Sequence, residues 1–426
     1  MERELLLGGI LKINCSKQTN SYKKIPIYNM ENQMSYKNLT ICEISNSDFF
    51  LKNFLDPMVK KFIDEGLKVK IISPIGEHAT SLSESGVDIT NISFNRKLNV
   101  FGILKHITFF KKYFDSNDID ILHTHTPLIS ALARIAAFFS KKNMLIVYHV
   151  HGFHFYPEGG LLKNYIFIAI EYILSKVTHL MLTVSNEDYA EAKKYFKSKK
   201  CEICYVGNGV DVLKYNKKNY INEDINLKKS LNIDTSHIIF GTVSRIVEEK
   251  GINEFLKTAV EISKEYKNIS FLLIGSKLKS DPNDGIEIEI NKAKSILQNK
   301  LHILGHRDDI PNLLSIMDVF CLLSWREGLP VSVIEAMMLS RPVIATNIRG
   351  NRELIKHNEN GFLVTKKDEN DAYESFKKLI TNNQMRELYG KKSRKIAEKF
   401  YNIENVTNSI HQNIIKSYIK YYEYRR

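Results

Sequence analysis

The chain has 426 residues, 43% hydrophobic and 26% charged, with a formal net charge of +13. That length exceeds one ordinary core and predicts two domains of a water-soluble globular protein. Excess positive charge favours nucleotide diphosphates or anionic lipid, but the lysines are dispersed and no helix-turn-helix, zinc-finger or RNA-binding signature accompanies them, so no nucleic acid partner is expected.

Five scattered cysteines suit a reducing cytoplasm, and Cys201-x-x-Cys204 has no second pair to make it a metal or redox motif. No run reaches the ~18–20 apolar residues of a spanning helix. The nearest, 161–184, is interrupted by Lys163, Asn164, Glu171 and Lys176, and the first ten residues make a poor signal peptide.

Residues 1–37 are polar and aperiodic. Short apolar runs then alternate with amphipathic stretches, the pattern of parallel sheets covered by helices. Strands are expected at 39–44, 69–73, 119–123, 145–150, 180–184 and 203–206, then at 238–243, 270–274, 301–304, 319–323, 343–346 and 362–364. A polar stretch at 215–234 separates the two sets. In such doubly wound sheets ligands bind beyond the carboxyl ends of the strands.

Several polar groups fall at those ends. Phe101 to Phe114 predicts an aromatic helix bearing Lys105, Lys111 and Lys112, which fits a membrane-surface helix and a core-facing one equally. Asp118-Ile-Asp120 spells a metal–diphosphate motif but sits at the start of a strand, the wrong edge for a ligand. His123 and His125, two apart on a strand, point the same way; with no third ligand evident, they are expected to line the acceptor side or simply to pack, and no metal site is expected. Gly152 permits a tight turn that leaves His151 facing the cleft, while His154 fits a packed histidine as well as a functional one. Arg245 and Lys250, just past a strand, can grip a diphosphate through a planar fork and a point charge. Glu327 and Glu335 flank a Gly-Leu-Pro turn, and the helix start at Val331 and Ser332 offers free N–H groups to a phosphate.

The segment from Arg326 to Met337 resembles the Glu-x7-Glu motif of the family 4 retaining glycosyltransferases. His151-Gly152, Gly207-Asn-Gly-Val-Asp211, Arg245-x4-Lys250-Gly251 and Leu304-Gly-His-Arg307 resemble further segments of that family, in its order, between residues 39 and 364. Ser244 departs from a common glycine and leaves less room at the backbone. The resemblance implies an α/β GT-B fold, two doubly wound Rossmann-like domains facing a cleft. It implies an acceptor-binding domain at 38–211, a nucleotide-sugar domain at 212–402, and a helix at 403–426 crossing back to the first domain, for which a solvated terminal helix is the alternative. Gly207 to Asp211 would be the hinge between them.

By the same resemblance His151 and Glu327 would contact the reacting sugar. Arg245, Lys250, Glu335, Val331, Ser332 and the loop of Arg307 would hold the donor. The implied reaction moves a sugar from a nucleotide sugar, UDP-linked, to a hydroxyl with retention and without metal or other cofactor. No carboxylate stands out as a nucleophile, which favours same-face attack. His-Gly-Phe-His-Phe-Tyr and Ile348-Arg-Gly-Asn-Arg-Glu-Leu-Ile355 are closest to bacterial capsule and exopolysaccharide enzymes. They imply a polyprenyl-diphosphate-linked saccharide acceptor and a peripheral place on the inner, anionic membrane face. A sugar-nucleotide epimerase and a non-catalytic sugar-nucleotide-binding protein are the rival readings.

Overall fold

The computed structural model describes residues 36–93, 99–156, 159–196, 198, 200–220, 223–278, 281 and 285–423. Most of the polar amino-terminal stretch expected at 1–37, and residues 424–426, lie outside the described residues.

Seven parallel strands form the first sheet: β1 (Thr40–Ile44), β2 (Lys68–Ser73), β3 (Asp88–Asn91), β4 (Ile121–His125), β5 (Leu145–Val150), β6 (Leu180–Thr183) and β7 (Glu202–Tyr205). Their order is β3-β2-β1-β4-β5-β6-β7. The second sheet has β8 (Ile238–Val243), β9 (Ile269–Ile274), β10 (Leu301–Gly305), β11 (Val319–Leu322), β12 (Val343–Thr346) and β13 (Gly361–Val364) in the order β10-β9-β8-β11-β12-β13. Central strands such as β9 are buried along their whole length, which is why they read as unbroken apolar runs. β3 escapes that signal. Its sequence Asp-Ile-Thr-Asn lies half-exposed at the sheet edge and carries one large apolar residue. β4 begins later than expected and continues through His125.

Seven helices matter for the site: α1 (Asp56–Asp64), α2 (Val100–Ser116), α3 (Pro127–Phe138), α4 (Leu161–Ser175), α5 (Asn186–Tyr195), α6 (Val331–Met338) and α7 (Ile403–Glu423). One face of the first sheet is covered by α1 and the returning α7, which buries Val406, Ile410, Ile414 and Tyr418 against Ile41, Val147 and Leu182. The other face carries α2 and α3, with α4 and α5 further along. The aromatic helix α2 resolves two ways: Phe110 and Phe114 are fully buried, Lys111 is tied to Asp115 at 2.6 Å, and only its first turns present apolar side chains to solvent. The core-facing reading therefore holds for its second half.

The chain crosses between the halves twice, side by side. Val210 N donates to Tyr401 O at 2.8 Å and Ile403 N to Val210 O at 3.1 Å, pairing the Gly207 to Asp211 segment with the start of α7. Asp118 and Asp120 sit at the amino end of β4, where Asp120 accepts from Thr40 N at 2.8 Å and Asp118 pairs with Lys142. Cys201 is buried in the core of the first half, and Cys201, Cys204, Cys42 and Cys321 are all free thiols.

The charge that breaks the apolar run of α4 turns inward. Glu171 pairs with the fully buried Arg134 of α3 at 3.0 Å, and the guanidinium lies 4.0 Å over the Tyr148 ring. Removing one member strands the other charge in the core, whereas replacing both with apolar residues does not. Arg134→Met should lower unfolding free energy by about 3–5 kcal/mol, and Arg134→Met with Glu171→Leu by clearly less. Equal losses in guanidinium unfolding curves of the two variants would show that the pair contributes only packing.

Candidate active site

Strand order places the polar groups. In the first sheet the winding reverses between β1 and β4, and in the second between β8 and β11. A crevice opens at such a reversal, beyond the carboxyl ends of the strands. Glu43, His123 and His125 lie on β1 and β4; Arg245 and Lys250 follow β8, and Glu327 follows β11. Every one of them is at a reversal.

In the second half the cations are already engaged. Lys250 Nζ donates to Glu327 Oε1 at 2.7 Å, and Ser324 Oγ donates to the same oxygen at 2.7 Å. Arg245 pairs with Asp281 through one nitrogen and with Glu249 at 3.0 Å through another. Burial raises the Glu249 carboxyl, but Arg326 and Arg245 outweigh that and hold it below the usual range. Thus three carboxylates occupy the cations expected to hold a diphosphate. Glu335, on the second turn of α6, accepts from Tyr215 Oη. Burial pushes its carboxyl up to about 7, against the Tyr215 hydrogen bond and the charge of Lys214, which pull it down.

The first half contributes a buried histidine stack. Glu43 Oε1 bonds His123 Nδ1 and Glu43 Oε2 bonds His125 Nε2, each at 2.8 Å, and His125 Nδ1 lies 3.1 Å from His151 Nε2. The β4–β5 register sets His125 beside His149, which the sequence reading passed over. Burial, reinforced by the neighbouring histidines, keeps the His125 and His149 rings well below the usual imidazole range. Burial and His123 bring His151 down to about 3. Neutral His125 therefore gives its Nε2–H to Glu43, and its Nδ1 lone pair accepts from His151 Nε2–H. That tautomer leaves His151 Nδ1 an acceptor, buried and without a protein partner.

His123 and His125 do not line the cleft as acceptor-side residues. Both are fully buried, held by Glu43 beneath His149 and His151. A third histidine is nonetheless present: nitrogens of His123, His125 and His149 lie within 4.8 Å of one another. Such an imidazole set suits a borderline transition ion, not the hard Mg²⁺ that accompanies diphosphates.

The two halves meet backbone to backbone. Gly152 has φ +121°, and a Cβ there would lie 3.1 Å from Gly328 Cα; a Cβ on Gly328 would lie 2.2 Å from His151 O. Only two glycines allow the His151 turn and the Glu327 turn to touch. Arg349 clamps this joint, with Nη2 donating to Phe153 O at 2.7 Å and Nη1 2.9 Å from Asp188. Arg352 pairs with Glu187 at 2.7 Å, and Glu353 accepts from Asn186 N and Tyr205 Oη, each at 2.7 Å. Beside the joint is a cavity of about 440 Å³ whose lining includes His149, His151, Asn208, Val331, Glu335 and Ile403.

Residues 53–213 match the family model described as "Glycosyltransferase Family 4" and residues 223–396 the model described as "Glycosyl transferases group 1". The chain belongs to the family 4 glycosyltransferases. It is 28% identical, over 72% of its length and 78% of the relative's, to an Escherichia coli UDP-Gal:α-D-GlcNAc-diphosphoundecaprenol α-1,3-galactosyltransferase. It is 26% identical to the capsular polysaccharide biosynthesis glycosyltransferase CapM of Staphylococcus aureus, over 92% of its own length and 99% of CapM. The crystal structure of Anabaena HepE with UDP-glucose superposes with a TM-score of 0.73 at 19% identity, covering 89% of this chain and all of that one, which establishes the GT-B fold.

Within this glycosyltransferase the structure brings His151 to the Glu327 turn, and Glu327 to Lys250, with Arg245 at the same strand ends. Val331 and Glu335 line the cavity, but Ser332 is absent from its lining and is half-buried at the start of α6. Arg307 does not line the cavity, but the adjacent Asp308 pairs at 2.9 Å with Lys52 of the first half, which does. Arg307 follows the edge strand β10, and Asp309 holds its guanidinium within the loop at 2.7 Å. His154 is half-buried with its ring 5.4 Å from Phe167, a packing role. Glu43, His149, Tyr215 and Arg349 were given no role from sequence. The i, i+2 repeat His149-x-His151 next to His123-x-His125 was the readable signal for one of them.

If Glu335 holds a ribose, as the resemblance implies, the diol can donate both hydroxyls to the ionised carboxylate and only one to the neutral acid. Nucleotide-sugar affinity should therefore rise about tenfold from pH 6 to pH 8, following ionisation of a group near 7. Tyr215→Phe should move that midpoint upward and Glu335→Gln should flatten the profile. A profile unchanged in Glu335→Gln, read by titration calorimetry, would remove Glu335 from the ribose.

Proposed function

We propose that this glycosyltransferase moves a sugar, with retention, from a UDP-sugar to a hydroxyl of a polyprenyl-diphosphate-linked saccharide in cell-surface polysaccharide assembly. The observation that carries this reading is the Gly152–Gly328 contact, which sets His151 of one half against the Glu327–Lys250 pair of the other. The relative named for an α-1,3-galactosyl transfer from UDP-Gal to a diphosphoundecaprenol-linked sugar supports the donor, acceptor and linkage. An α linkage made from an α-linked nucleotide sugar is retention.

In this reading the donor diphosphate exchanges places with carboxylates at Arg245 and Lys250 and lies toward the free N–H groups at the start of α6. These groups offset charge on the departing diphosphate. The acids at that end, Glu249, Asp281 and Glu327, are each paired with a cation, which favours transfer without a divalent metal or other cofactor. Glu327, freed from Lys250 by the phosphate, accepts from a donor-sugar hydroxyl. His151 Nδ1, fixed as an acceptor by Glu43 through His125, takes another. The acceptor hydroxyl attacks the anomeric carbon on the face the diphosphate leaves; its proton passes to the leaving phosphate oxygen as the sugar–oxygen bond breaks. Val331 and Glu335 hold the nucleoside end, and Ser332 contributes backbone only. The enzyme works at the cytoplasmic face of the membrane, where nucleotide sugars are available.

The test is UDP release from a panel of UDP-sugars, in EDTA, with and without undecaprenyl-diphosphate-linked saccharides. Release stimulated by lipid-linked acceptor and indifferent to EDTA is expected. Glu327→Ala should lower kcat by about 10²–10³-fold with little change in donor affinity. Turnover of donor with no acceptor present points instead to an epimerase. Tight donor binding with no release for any acceptor overturns the assignment in favour of a binding protein.

A further inference from the structure

The sheet register supplies the third ligand that the spacing of His123 and His125 lacks. β5 runs beside β4 with His149 opposite His125, and one nitrogen each of His123, His125 and His149 lies within 4.8 Å of the others. His123 and His125 are fully buried and His149 is 3% exposed. Solvated surface groups gather by chance, but imidazoles enter a sheet core at the cost of their lost hydration.

Hydrogen bonds fix which nitrogens are open. Glu43 Oε1 meets His123 Nδ1 and Glu43 Oε2 meets His125 Nε2, each at 2.8 Å. One carboxylate, accepting from both, holds the N–H of two imidazoles and leaves the lone pair of each on its other nitrogen. Metal-ligating histidines are held in this way, with the non-ligating N–H given to a carboxylate. His123 Nε2 has no protein partner, and neither does either nitrogen of His149. The lone pair of His125 Nδ1 is engaged by His151 Nε2, 3.1 Å away.

We propose that His123 Nε2, His125 Nδ1 and a nitrogen of His149 bind a borderline divalent transition ion, for which Zn²⁺ is the probe, and that its binding releases His151 from His125. Neutral imidazole nitrogen suits such an ion, and three protein ligands leave the fourth position of a tetrahedral site to water. The way in is the cavity of about 440 Å³, which His149 and His151 line. Bonds of about 2.0–2.1 Å hold tetrahedral ligand nitrogens roughly 3.4 Å apart, so the rings draw inward by at most about 1.4 Å. His149, with neither nitrogen bonded, has the least to give up in that movement. Occupation takes from His151 its anchor, because His125 Nδ1 cannot both bind the ion and accept from His151 Nε2. The ion is therefore an inhibitor and not a cofactor. Its effect, unlike its binding, rests on the sugar contact proposed for His151.

The experiment takes the full chain, stripped with EDTA, and adds one equivalent of Zn²⁺ or Co²⁺. X-ray absorption at the zinc edge should show nitrogen at about 2.0 Å with the scattering of three imidazoles. Co²⁺ titration, followed by its visible bands, should give one tight site per chain. That site should weaken about 10–100-fold in Glu43→Gln and by more in His123→Gln. Near-UV circular dichroism matched to wild type controls for folding, and the zinc-edge spectrum of wild type decides the matter if a variant does not fold. UDP release should fall at least about tenfold on loading and return in EDTA. Fewer than three imidazoles on the zinc, or Co²⁺ held equally well by folded His123→Gln, overturns the site and leaves the ion on surface histidines. Zinc on three imidazoles with full turnover overturns the link to His151. Failure of the transfer reading looks different: the site loads, yet no UDP-sugar turns over even in EDTA.

Discussion

The contact between Gly152 and Gly328 is the constraint on which the site depends. A side chain on Gly328 would sit 2.2 Å from His151 O, so the histidine turn and the glutamate turn come together only as bare backbone. Each turn is fixed from behind by its own sheet: the glutamate turn follows β11 at the reversal of the second sheet, and the histidine turn follows β5, next to β4 at the reversal of the first. The Arg349 clamp then converts a contact into a defined geometry, because its guanidinium binds two carbonyls of the histidine loop while its own chain belongs to the other half. Burial raises the Asp188 carboxyl, and the Arg349 charge works against that. The ion pair is thus coupled to closure: opening the joint would expose both partners to water.

In the proposed reading the cations at the strand ends form a polyanion site whose charges are held in advance by protein carboxylates. Arg245 and Lys250 are not left as free charges in a cleft; Asp281, Glu249 and Glu327 hold them. A nucleotide diphosphate can compete with those carboxylates because it presents more charge to both cations at once. The exchange also changes Glu327. Paired with Lys250 it is a neutralised acid, and once phosphate takes the lysine it becomes an uncompensated acceptor beside the sugar. Binding of the donor's diphosphate would in this way prepare the carboxylate that meets the donor's sugar.

How much of this was legible from sequence follows from what each element buries. Central strands, buried on both faces, announce themselves, whereas β3 at the edge does not because a half-exposed strand needs few apolar residues. Glu327, Lys250 and His151 were legible because a turn chemistry surrounds each of them. Glu43 was not: one acid inside an apolar strand has no local signature, and its role exists only because β1 pairs with β4. The segment from Ile348 to Ile355 was noticed as wording, yet that Arg349, Arg352 and Glu353 all reach the opposite half is a property of the closed arrangement. The Arg307 loop shows a related effect. Asp309 holds the Arg307 guanidinium within the loop, while the adjacent Asp308 reaches Lys52 of the other half, a pairing that exists only in the folded arrangement.

The buried histidines carry the argument one step further. Five polar side chains in an apolar sheet core are expensive unless each hydrogen bond is made. Here only part of the bonds are made: Glu43 engages one nitrogen each of His123 and His125, while His123 Nε2, both nitrogens of His149 and Nδ1 of His151 are left without protein partners. Three of these four atoms belong to His149 and His151, which line the cavity, and the fourth lies on the fully buried His123. In the proposed reading, a hydroxylated ligand in the cavity would complete the three open nitrogens of His149 and His151, and the cost of holding them dry would be recovered on binding.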